Sequence, residues 1–129
     1  TKGFFILGHP TETHESIQET LKLMLALDID VIGVTFFTVF PGSPIYSTIR
    51  EYGKFDPDWD KTDTYTIGNF IPNGFTAAEL INYRQQALRK FYFRPKYMFK
   101  QLFSVKSPFQ LLKLILGGWK ILSKRIANK

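Results

Sequence analysis

The sequence predicts an α/β chain with parallel strands, followed by an α-helical C-terminal extension. Three observations carry that prediction. Gly3-Phe4-Phe5-Ile6-Leu7 and Val31-Ile32-Gly33-Val34-Thr35-Phe36-Phe37 are short runs rich in branched and aromatic residues, each followed by a Gly/Pro-containing segment. Between them Ile17, Leu21, Met24 and Leu25 recur at helical spacing. Beyond Gly74 the strand-like runs give way to repeated helix-start signals.

Residues 3–7 form a continuous apolar run, as in a parallel strand covered on both faces. Gly8 and Pro10 end it, and Thr13 is placed to cap a helix running to about Leu27, with Glu15 near its positive end. Leu23 and Leu27 are expected to widen the apolar stripe of that helix. Asp28 and Asp30 mark a turn into the second strand, residues 31–37. Strand, helix and strand within about 35 residues suit one right-handed βαβ unit. Both strands then run the same way, and their ends near Gly8 and Val39–Pro41 fall on one edge.

Pro44 is a plausible first residue of a short helix ending at Gly53. Asp56-Pro57-Asp58-Trp59-Asp60 reads as a loop, Thr64–Ile67 as a short strand, and Pro72-Asn73-Gly74 as a turn. A boundary is placed there, dividing residues 1–75, βα units, from 76–129, a helical extension. Thr76-Ala77-Ala78-Glu79 is a capping box opening a helix to about Phe93, before Pro95. Tyr97–Phe103 is expected to add a short helix. Ser107-Pro108-Phe109-Gln110 opens a last one, with Leu112, Ile115, Trp119, Leu122 and Ile126 on one face and Lys113, Lys120 and Lys124 opposite.

The chain has 129 residues, 44% hydrophobic, with thirteen Phe and no Cys. That is about one domain, with enough apolar side chains for a core. Absent cysteine excludes disulfides and thiolate-held metal clusters within this sequence. No apolar run reaches the roughly 18 residues that span a bilayer. The start at Thr1, directly before a strand, reads as a piece cut from something longer, and a cytoplasmic setting is expected. The charge of +6 is uneven. Residues 1–75 hold five Lys/Arg against ten Asp/Glu, a net −5, while 76–129 hold twelve against one, a net +11. Such a basic segment suits phosphate, lipid headgroups or an acidic protein face, and equally a solvated helical surface.

The two strand ends offer parts for a ligand wall. At Gly8-His9-Pro10-Thr11-Glu12, Gly permits close backbone approach, Pro stiffens the exit, and the next helix presents free N–H groups. Ile6 stands behind as a support for a flat ring. Val39-Phe40-Pro41-Gly42 offers backbone for a ring edge and apolar bulk for stacking. Purely structural use of such corners is at least as common.

These residues resemble the C-terminal part of radical S-adenosylmethionine enzymes, in the branch with a cobalamin-binding domain. Members often read Gly-Leu-Pro-Gly-Glu-Thr after one strand and Pro-Gly-Thr-Pro-Leu-Tyr after the next. This chain has Gly8-His9-Pro10-Thr11-Glu12-Thr13 and Pro41-Gly42-Ser43-Pro44-Ile45-Tyr46. The Gly53 and Asp58-Trp59 region and Arg89–Pro95 also look like that branch. The resemblance implies a partial TIM-like (β/α) barrel whose fifth and sixth strands end near Gly8 and Phe40. It implies S-adenosylmethionine as cofactor, with Ile6 against adenine, the backbone of Val39 and Phe40 on its edge, Pro41 beside it, and Gly8 and Glu12 shaping the pocket. The parent reaction would be reductive cleavage of that cofactor at a four-iron cluster, giving an adenosyl radical; cobalamin use stays open. Thr11 stands where Gly is usual and His9 where an apolar residue is common. The three-cysteine cluster motif, upstream in the family, is absent. The resemblance therefore implies a fragment inactive alone, holding no cofactor by itself, whose partner is the upstream part of its own chain. It is also expected to self-associate.

Other readings compete. His9, Glu12 and His14 match no standard metal-ligand spacing, and Asp56, Asp58, Asp60 and Asp63 lack the Gly and terminal Glu of a calcium loop. Aromatics from Tyr83 to Phe99 interleaved with Arg and Lys could form a nucleic-acid platform. A helix packed by its aromatic side, with basic residues snorkelling outward, is the stronger reading. Residues 107–129 suit a helix lying on an anionic membrane or docked on protein. A basic helical module without enzymatic activity, binding a membrane surface or a partner, is thus the alternative function.

Overall fold

A computed structural model describes residues 1–58, 67–95 and 97. The chain divides into two compact units, Thr1–Ala87 and Leu88–Lys129. The first is mixed α/β, and it is built on one parallel pair of strands.

Strand β1 spans Lys2–Leu7 and β2 spans Val31–Phe36. They pair in parallel from Lys2↔Val31 to Leu7↔Phe36. The Phe37 N–H extends the ladder by donating to the Leu7 carbonyl at 2.8 Å. Helix α1, His14–Ala26, makes the crossover. Thr13 is its N-cap: its hydroxyl accepts the Ser16 N–H at 3.2 Å while Ser16 Oγ accepts the Thr13 N–H at 3.0 Å. The expected capping role of Thr13 is therefore present, in reciprocal form.

Alternation along the strands sorts the two sheet faces. Leu7, Ile32, Val34 and Phe36 are buried, as are Ile17, Leu21 and Met24 of α1. Leu23 and Leu27 are exposed instead of widening the stripe. Leu23 sits about 200° around the helix from Leu21, so a helix packing one stripe cannot bury both. The opposite sheet face also departs from expectation. Phe4 is 75% and Ile6 58% exposed, so among the described residues β1 is covered on one side only. The Phe4 ring fills the space above Gly33, where a Cβ would approach it to 2.9 Å.

The predicted short helix between Pro44 and Gly53 is two pieces: a 3₁₀ turn at Pro44–Ser47 and helix α2 at Ile49–Tyr52. A second ladder follows that the sequence did not announce. Strand β3, Gly53–Phe55, pairs antiparallel with β4, Phe70–Pro72. Flanking bonds from Asp56 N–H to Asn69 C=O (2.9 Å) and Asn73 N–H to Tyr52 C=O (2.8 Å) lengthen it. Ile67, expected to end a strand, is not in one, and Thr64–Thr66 lie outside the described residues. Val39, Ile49 and Phe70 form a small core, with Phe37, Ile45, Tyr46 and Phe55 against it.

Helix α3, Ala77–Tyr92, opens on the expected box. Thr76 N–H donates to Glu79 Oε2 at 2.8 Å and Glu79 N–H to Thr76 Oγ1 at 3.2 Å. Its first part belongs to the first unit, where Leu80 and Ala87 are buried and the Arg84 guanidinium lies 5.5 Å from the Phe36 ring centre. In the second unit Phe91 is fully buried, its ring meeting Tyr92 and Tyr97 at 5.1 and 5.6 Å between centres, with the Arg94 guanidinium 4.0 Å over it. This is packing of aromatics with an arginine stacked on them. The short helix at 97–103 and the last helix lie outside the described residues, Tyr97 apart. Among those residues no helix is long and apolar enough to cross a membrane.

Candidate functional site

Because β1 and β2 are parallel neighbours, the loops that follow them leave from the same sheet edge. His9 of the first loop meets Phe37 at the start of the second, ring centres 5.4 Å apart and nearly perpendicular. The predicted site residues thus occupy two adjacent places: Ile6, Gly8 and Glu12 at the end of β1, and Val39, Phe40 and Pro41 beyond β2.

In the first loop Gly8 is buried at φ +84°, a left-handed turn that carries the chain off the sheet. Glu12 closes this turn. Its Oε2 accepts the Gly8 N–H and, at 3.3 Å, the His9 N–H, while its own N–H donates to the His9 carbonyl at 2.9 Å. Burial pushes the Glu12 carboxyl above the usual glutamate range, although both N–H bonds and His9 pull the other way. Glu12 therefore serves the loop's own amides. The His9 Nδ1 lies 3.1 Å from Thr11 Oγ1 and accepts the Thr11 N–H at 3.4 Å. Ile6 points to the open sheet face beside Phe4, so its apolar surface stands free behind the turn.

The second loop is held differently. Val39 is 1% exposed, and its N–H and C=O both bond the side chain of Asn69, at 3.0 and 2.7 Å. The Phe40 carbonyl is taken by Ser43, whose N–H lies at 3.1 Å and Oγ at 2.6 Å. The Phe40 N–H has no hydrogen-bond partner among the described residues. The Phe40 ring is 49% exposed and Pro41 is exposed beside it. The expectation of a free backbone edge at both Val39 and Phe40 is thus narrowed: the edge that remains open as a donor is the Phe40 N–H.

Sequence reasoning missed Asn69, the one buried polar residue among those described. A lone amide next to Phe70-Ile71 was the available sign, but pairing across thirty positions cannot be read from local pattern. It also missed the contacts of His14. His14 Nδ1 bonds Tyr83 OH at 2.9 Å, its Nε2 lies 3.3 Å from the Gly74 carbonyl, and its ring packs at a tilt against Phe75, centres 4.3 Å apart. This ties α1 to the start of α3. His14 is therefore engaged away from His9 and Glu12. Among the described residues no group of three His, Cys, Asp or Glu side chains is placed to hold a metal ion. Asp60 and Asp63 lie outside them.

No protein-family model matches the chain, and no solved structure does. Two curated proteins are similar to it. An uncharacterized methyltransferase of Pyrococcus horikoshii is 31% identical over 102 residues, 78% of this chain and 22% of that protein. A bacteriochlorophyllide d C-12(1)-methyltransferase of Chlorobaculum tepidum is 31% identical over 64 residues, 50% of this chain and 14% of that protein. The chain spans about a fifth or less of the length of these relatives.

Proposed function

We propose that this chain is the C-terminal portion of a radical S-adenosylmethionine enzyme of the methyltransferase kind, supplying part of the cofactor and substrate rim of a (β/α) barrel. The observation that carries the reading is the parallel βαβ unit whose two loops emerge side by side. Similarity to two proteins named as methyltransferases supports the reaction class, and both are several times longer than the matched segment. The reading needs the rest of such a protein, so the chain alone is inactive.

The residues present suit a flat, polar-edged ligand such as the adenine of S-adenosylmethionine. Exposed Ile6 offers an apolar face, the left-handed turn at Gly8 carries the chain off the sheet beside it, and the open Phe40 N–H can donate to a ring nitrogen. When bound beside the cluster of the longer protein, S-adenosylmethionine would supply, on reductive cleavage, the adenosyl radical that abstracts hydrogen from the substrate carbon. An iron–sulfur cluster does not fit this chain, which has no cysteine, so its thiolates belong to the longer protein. Cobalamin, too, would be held outside these residues. One relative is named for a tetrapyrrole substrate, and a large apolar ring compound is the substrate class we favour.

The test is the full-length protein, purified without oxygen. A cysteine triplet upstream, a brown colour and cleavage of S-adenosylmethionine on reduction are expected. A colourless protein without iron or sulfide rejects the proposal.

A further inference from the structure

We infer that Asn69 is a positioning residue for the ligand-facing loop after β2, an inference that rests on the S-adenosylmethionine reading above. Asn69 is 5% exposed, and both ends of its carboxamide meet one residue. Oδ1 accepts the Val39 N–H at 3.0 Å, and Nδ2 donates to the Val39 carbonyl at 2.7 Å. The side chain pairs with Val39 as a neighbouring strand would. The bonds also settle which way the amide faces, because only the oxygen can receive an N–H.

Both sides of this clamp are anchored. The Asn69 carbonyl accepts the Asp56 N–H at 2.9 Å, and the next residue, Phe70, enters β4. The Val39 side chain packs with Ile49 and Phe70. Val39 is thus fixed through backbone and side chain, and the chain leaves it directly into Phe40. With the Phe40 carbonyl bonded to Ser43, the direction of the Phe40 N–H and ring follows from where Asn69 holds Val39. A neutral amide is the group this task needs. An apolar side chain would leave a buried N–H and C=O unmatched, and an ionised Asp accepts but cannot donate.

The experiment uses the full-length protein as wild type, Asn69→Ala and Asn69→Asp. S-adenosylmethionine affinity is measured by equilibrium dialysis at about pH 8 and about pH 6, with residue-resolved hydrogen exchange on the wild type. Both variants are expected to bind about tenfold more weakly at the higher pH. The Asn69→Asp deficit should narrow at the lower pH, because a buried carboxylic acid can both accept and donate. The Asn69→Ala deficit should not. Lys54 and Asp56 line the same surface, and the Ala variant, which carries both, controls for their charges. The Val39 amide should be protected in the wild type without ligand.

Folded variants that bind as tightly as wild type overturn the inference, as does an Asp deficit equal at both pH values or a freely exchanging Val39 amide. The last result needs no variant, so a variant that fails to fold does not rescue the idea. A wild type that binds no S-adenosylmethionine rejects the functional reading itself, and the inference falls with it. Tight wild-type binding with indifferent variants rejects the inference alone.

Discussion

At the scale of single residues, the loop after β1 shows a carboxylate used inward. Glu12 Oε2 takes two amides of its own turn, and burial still lifts its carboxyl above the ordinary range. The folded protein then holds that proton more tightly than the unfolded chain does. The associated stability is fully present below the unfolded value and is lost as pH rises through the folded one. Glu12→Gln keeps an oxygen for both N–H groups and removes the charge. We expect wild type to lose stability relative to Glu12→Gln as pH rises through and above the ordinary glutamate range, measured by denaturant unfolding at a series of pH values. A difference independent of pH would show that Glu12 ionisation is not linked to folding. Gly8 belongs to the same turn, and its φ of +84° explains why the sequence has a residue without Cβ there. That much was legible, since Gly and Pro after an apolar run announce a strand end. The Glu12 bonds were not, because position shows that an acid precedes a helix without showing which amides it takes.

At the scale of elements, the two ladders differ in how openly they are written. β1 and β2 carry several consecutive branched and aromatic residues each, and α1 carries a stripe at helical period, so their existence and order follow from pattern. β3 and β4 have three residues each, too few for any periodicity, and Pro72 reads locally as a turn. Their pairing depends on a contact between distant segments. Gly53 makes that contact possible: a Cβ there would overlap the Ile71 carbonyl and come within 2.8 Å of Pro72 Cα. Gly53→Ala should therefore open the ladder at a cost of about 1–3 kcal/mol. The readout is faster hydrogen exchange at Asp56 and Asn73, whose bonds flank it, while β1 and β2 keep their protection. Unchanged exchange at those two amides would show that the strand accommodates the methyl.

At the scale of the whole molecule, the exposed face of the parallel pair dominates. Phe4, Ile6 and Val31 are 75%, 58% and 38% exposed on one side of the sheet, and β1 has no second strand partner among the described residues. An open edge beside apolar surface invites pairing with another chain. We propose that in the longer protein an upstream segment covers this face, and that the isolated chain self-associates through it. Light scattering should report dimers or larger species whose proportion grows with concentration. A compact monomer at high concentration would contradict this.

The sequence by itself determined the class of the first unit: a parallel βαβ arrangement, its order, its caps at Thr13 and Thr76, and the shared edge of the loops at Gly8 and Phe40. Those features are local, because periodicity, branching and turn chemistry act within a few residues. Only the tertiary structure decided that Leu23 and Leu27 face outward, that Gly53–Phe55 pairs with Phe70–Pro72, and that Asn69 occupies both backbone groups of Val39. These depend on which distant segments come together and on which polar groups are left to be matched once they do, and local patterns carry no record of either.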